Sequence, residues 1–134
     1  MKGKIQLNNK WEFIGAELYK GSKWVACNRY VKGMIWDFHP QYFSPTRMIG
    51  CIIESTPKEN SVDIPFSYNF DEAKLTVEIY TDSTTGITDQ SEVDVYEVTS
   101  DNETSNNNPT IKLSILTEHN CPPPYFRYIL QKIE

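Results

Sequence analysis

The feature that most constrains this chain is a two-residue period of apolar side chains. In "KLTVEIY" (Lys74 to Tyr80), Leu75, Val77 and Ile79 share one face, and Lys74, Thr76 and Glu78 share the other. "TIKLSIL" repeats the pattern with Ile111, Leu113 and Ile115; "GMIWDFH" does so with Met34, Trp36 and Phe38. "IPFSYNF" aligns Ile64, Phe66, Tyr68 and Phe70. Successive side chains of a strand point to opposite faces, so this period predicts half-buried antiparallel strands. With "LNNKWEF" at one end and "YFRYILQKIE" at the other, about eight or nine short strands follow one another, as in a sandwich or barrel. If the first and last strands meet, they seal a barrel.

Two runs depart from the alternation. "RMIGCIIE" (Arg47 to Glu54) is apolar on both faces, which predicts a strand covered on both sides or bent by a bulge at Gly50. "EVDVYEVTS" sets Val93 and Val95 on one face, then Tyr96 and Val98 on the other, a phase slip that also predicts a bulge. Ala16 to Gly33 reads as a long first loop followed by a strand at Lys23 to Tyr30, or as a loop that includes one helical turn. Asn69 to Lys74 is a short hairpin connection with Asp71 suited to the turn. Thr81 to Ser91 and Ser100 to Thr110 are polar loops with little to bury, and Glu118 to Tyr125 is a Pro-stiffened approach to the last strand.

A chain of 134 residues fits one domain, here 1–134, and no linker divides it. The net charge of −5, with its 13 Lys and Arg scattered, leaves no basic stripe for nucleic acid. No stretch has the length and apolarity of a membrane-spanning helix. The opening "MKGKIQ" carries charge but no apolar segment behind it, so it is not a signal peptide. The chain is then either cytoplasmic or the mature part of an exported protein. Cys27, Cys51 and Cys121 match no zinc or CxxC spacing. Cys51 reads as a buried apolar thiol, and a Cys27–Cys121 disulfide stays open for an exported protein.

The Leu7, Asn9 and Trp11 spacing resembles the first-strand signature of lipocalins, with Asn9 standing where that family has a glycine. The resemblance implies an all-β fold: a single antiparallel up-and-down barrel of about eight strands. It also implies that Trp11 plugs one end while an Arg on the last strand lies over its ring, here Arg127, with Lys132 as the alternative. The order of a Trp strand, "IWDFHPQYF", then hairpins to a Tyr-rich last strand is similar to small lipocalin-like domains of bacteria. Many of those are exported lipoproteins, so the resemblance favours a periplasmic or surface location over the cytoplasm. It implies a binding protein, not an enzyme, holding a small apolar or amphipathic ligand in the barrel mouth. Phe13, Trp36, Phe38, Phe66 and Tyr68 would line that pocket, Tyr68 as its polar handle. Val77 and Leu113 are further inward positions. The same aromatics serve equally as the filling of a solid barrel, a protein-interaction module whose contact surfaces would be Ser100 to Thr110 and "PQYF".

Catalytic and metal chemistry find little support. Histidines occur only at His39 and His119; His119 with Cys121 supplies at most two of the three or four ligands zinc needs, and loop positions are expected for both. There is no GxSxG and no glycine-rich phosphate loop, and no cofactor is expected. Asp71 and Glu72 fall on opposite faces. Glu92 and Asp94 share a face and read as a solvated stripe. Asn102 to Thr104 forms a glycosylation sequon, of meaning only in a eukaryotic secreted protein.

Overall fold

The computed structural model describes residues 7–28, 30–81, 90–101, 109–116 and 126–133. Among these residues there is no helix, and none therefore that is long and apolar enough to cross a membrane. The strands are β1 (Asn9–Lys20), β2 (Lys23–Cys27), β3 (Ile35–Phe43), β4 (Arg47–Thr56), β5 (Glu59–Asn69), β6 (Lys74–Thr81), β7 (Gln90–Asp101), β8 (Thr110–Ile115) and β9 (Phe126–Lys132). β3 to β9 pair in sequence order, and β9 returns to pair with β1. Eight antiparallel strands thus close on themselves, as the alternation and the resemblance lead one to expect. β2 is an outrigger: Ala16 to Lys20 of β1 pair with it, while Asn9 to Glu12 pair with β3 along the same edge.

Ala16 to Gly33 therefore folds otherwise than expected. No long loop follows the first strand; β1 runs straight to Lys20 and turns back through two residues. Gly21 and Ser22 both adopt positive φ, 55° and 73°, the backbone of the tight hairpin turn whose twist matches its strands. β1 also carries a bulge between Phe13 and Gly15. The extra residue resets the alternation, so Trp11 and Phe13 point inward, Ile14 outward, and Ala16 inward again.

The "EVDVYEVTS" run is corrected too. β6 and β7 pair without interruption from Lys74↔Glu97 to Thr81↔Gln90, so there is no phase slip. Val93 and Val95 stay on the outer face, and Asp94 is the residue that points in with Tyr96 and Val98. At Gly50 the expected irregularity is present but on the neighbouring strand, where the β3–β4 register shifts between Pro40 and Tyr42. β3 runs through Pro40, so His39 lies in a strand and not a turn; its imidazole sits exposed, 3.0 Å from Asp37. Cys51 and Cys27 are half-buried free thiols; Cys121 and His119 lie outside the described residues.

One end of the barrel is plugged. Leu7 and Trp11 are buried there, and the Trp11 indole N–H donates to the Asn8 carbonyl at 3.1 Å. Asn9 has φ 64°, the left-handed conformation that asparagine tolerates in place of glycine. The cation over Trp11 is Lys132, with Nζ 6.0 Å from the ring centroid. Arg127 does not lie there, and register explains why. Trp11 pairs with Lys132 and Glu17 with Arg127, so Arg127 is five residues further along β9, about 17 Å away at the strand rise. It faces outward, its guanidinium carbon 3.9 Å from the Trp24 ring and its nitrogens 2.6 and 2.7 Å from Glu17 Oε1. Trp24 belongs to β2 and stacks edge-on against Tyr19. Arg127 thus clamps the outrigger to the barrel, tying β9, β1 and β2 together through one cation–π contact and one ion pair.

Candidate functional site

Inward residues near the plug are packed solid. Phe38 meets Phe66 at 5.3 Å and Trp36 at 6.1 Å between ring centroids; Phe13 meets Trp36 at 5.0 Å. All are edge-to-face arrangements, in which the positive edge of one ring meets the negative face of the next. Met48, Ile52, Ile64, Leu75, Val77, Val98, Ile111, Leu113 and Leu130 fill the space around them. Tyr68 belongs to this packed end, stacked on Phe70 at 5.4 Å. Its pairing with Met48 and Leu75 puts it beside the Asn69–Lys74 turn, away from the opposite end, so it is not the polar handle of a pocket there. Burial pushes its phenol pKa up to about 12.

At the opposite end the interior changes character. Trp36 pairs with Glu54, and Val77 with Asp94, so both carboxylates sit on the inward face. The Trp36 indole N–H donates to Glu54 Oε2 at 2.7 Å, a short bond to a charged acceptor. Tyr96, almost wholly buried, donates its hydroxyl to Asp94. Tyr96 stands 6.5 Å from Trp36 and 6.2 Å from Tyr128, which in turn touches Phe13 and Phe126 at 5.2 and 4.8 Å. Four rings, from Phe13, Trp36, Tyr96 and Tyr128, therefore form a floor beneath two carboxylates. Beyond them, Val62, which pairs with Glu54 and shares its inward face, is 55% exposed.

The electrostatics follow from this layout. The Tyr96 pKa is raised well above 10, first by burial, then by the Tyr128 phenol, by the charge of Asp94 and its hydrogen bond, and by the charge of Glu54. Folding therefore holds the Tyr96 and Tyr68 protons past the pH at which an unfolded phenol loses them. Stability is whole below pH 10 and falls as pH climbs from 10 towards 12, because only the unfolded chain ionises freely there. Spectrophotometric titration should show two phenols ionising late, together with a melting temperature that drops over this window. Replacing Tyr68 and Tyr96 by Phe should flatten that drop.

Of the aromatic positions singled out from sequence, Phe13 and Trp36 reach this floor, while Phe38, Phe66 and Tyr68 lie deeper in the packed end. Glu54, Asp94, Tyr96 and Tyr128 were missed as site residues. Asp94 was read as part of a solvated stripe; the Glu92 side chain lies outside the described residues. The one available signal was a polar residue flanked by Val93 and Val95, an inversion of the usual pattern. Among the described residues no group of three or more His, Cys, Asp or Glu side chains converges as a metal site. No family model, no curated protein and no solved structure matches the chain.

Proposed function

We propose that the protein binds a small amphipathic ligand in the open end of the barrel, without turning it over. The observation that carries this reading is the inward placement of Glu54 and Asp94 over a floor of aromatic rings. Carboxylates are seldom set inside a barrel without a use, since removing them from water is costly. Rings offer a large rigid apolar surface, and the acids beside them favour a positive or hydrogen-bond-donating head group on the same molecule. The lipocalin resemblance is compatible with this arrangement. The edge-to-face packing near the plug supports a second reading, a solid barrel that acts as a non-enzymatic interaction module.

The test is a titration with decylamine, decanol and decanoic acid, followed by tryptophan emission. The amine is expected to saturate one site and to bind at least about tenfold tighter than the acid, a margin like charge repulsion readily provides. Glu54→Gln with Asp94→Asn should abolish that preference. If none of the three saturates while the protein melts cooperatively, the solid-barrel reading stands instead.

A further inference from the structure

β5 and β6 are paired over only four residues each, from Phe66↔Val77 to Asn69↔Lys74. Both strands continue well past the last pair, β5 back to Glu59 and β6 on to Thr81. β4 covers one edge of upper β5 and β7 covers one edge of upper β6. Among the described residues, no strand pairs with the two edges that face each other across the split. The ladder ends where it must: the next residue of β5 is Pro65, which has no N–H to donate. The barrel wall is therefore seamed, and each side of the seam offers backbone groups of the kind that template another strand.

The outer face beside the seam is a groove of about 340 Å³ with Ile49, Pro65, Ser67, Thr76, Glu78 and Val93 in its lining. Ile49 and Val93 are exposed apolar residues. Pairing of Ile53 with Asp63 and of Glu78 with Val93 sets a carboxylate on the outer face of each side, Asp63 on β5 and Glu78 on β6. An occupant must then satisfy backbone donors and acceptors, cover apolar side chains and neutralise two negative charges.

We infer that the seam between β5 and β6 is a docking site for an extended, basic peptide segment of a partner protein, added as a strand along the free edge of β5 above Pro65. Main-chain hydrogen bonds to Ser61 and Asp63, whose backbone groups face the seam while those of Val62 and Ile64 face β4, hold it, and alternate side chains project outward. Those side chains are Lys or Arg between Asp63 and Glu78, with an apolar one at the lower end reaching the groove at Pro65. This site is on the barrel wall and is independent of the ligand proposed for the open end.

The test uses the whole chain and a fluorescein-labelled heptapeptide alternating lysine and valine. The controls are a glutamate–valine counterpart and a lysine–valine peptide N-methylated along one edge, which keeps charge and side chains but cannot donate to β5. The basic peptide should bind saturably and slow amide exchange at Ser61 and Asp63. Its affinity should fall at least about tenfold with Asp63→Lys plus Glu78→Lys, and similarly on N-methylation. Both positions are at the surface, so an unchanged melting temperature verifies the fold. Equal binding of the methylated peptide, or binding indifferent to the charge reversal, would overturn the inference. So would exchange protection at Ser61 and Asp63 that appears with protein concentration alone, which would assign the seam to a second copy of this chain.

Discussion

Phe13→Ala is expected to cost about 3–5 kcal/mol of unfolding free energy, the range for emptying an aromatic site in a core. Phe13 is 1% exposed and touches both Trp36 and Tyr128 edge-on, so its removal leaves a void that rigid rings cannot collapse to fill. A domain of this size has about 5–15 kcal/mol in all, and such a loss moves the urea midpoint far. Ile14, the next residue, is 42% exposed; Ile14→Ala should cost less than about 1 kcal/mol. A comparable cost for the two would mean that the bulge does not set β1's inward face.

The second large effect belongs to Gly50. A Cβ built there would lie 2.2 Å from the His39 carbonyl oxygen and 2.7 Å from the Pro40 Cα. Both obstacles are backbone, held by the register shift at Pro40–Tyr42, so neither can swing aside. Gly50→Ala should cost about 3 kcal/mol, the upper part of the range for overpacking. Gly15 provides the comparison: its Cβ would meet Ile129 Cδ1 at an ordinary 3.6 Å, so Gly15→Ala should be close to neutral. Urea denaturation of the pair reads the difference directly, and equal midpoints would count against the close approach of β3 to β4.

Strands that alternate strictly, such as Lys74–Thr81 and Thr110–Ile115, were legible because their period alone fixes which face is buried. Asn9 was legible for a different reason, since a small polar residue is one of the few that accepts a left-handed backbone. The Gly21–Ser22 turn was available and overlooked: a two-residue Gly–Ser step between β-rich runs is itself a hairpin signal. Arg127 could not be placed from sequence, because its partner depends on how β9 slides against β1, a register set by contacts more than a hundred residues apart. Glu54 is hidden for the same reason; only its pairing with Trp36 tells which way it faces. Asp94 is hidden because β7 keeps its alternation without a break but places a polar residue inward and the flanking valines outward. Such inversions of the polar pattern gather where a protein does more than fold.

The pairing of β1 with β9 also governs how the molecule comes into being. The Arg127–Glu17 contact joins positions 110 residues apart, so the closing step must bring together the two most distant strands of the chain. Loop-closure entropy delays such steps, and β architectures rich in them fold in about milliseconds to seconds. During synthesis, β1 can pair early with β2 and β3 along one edge. Its other edge has no neighbour until Phe126–Lys132 has been made. A nascent chain therefore spends most of its translation with this strand edge unsatisfied, a point at which association with other unfinished chains would begin.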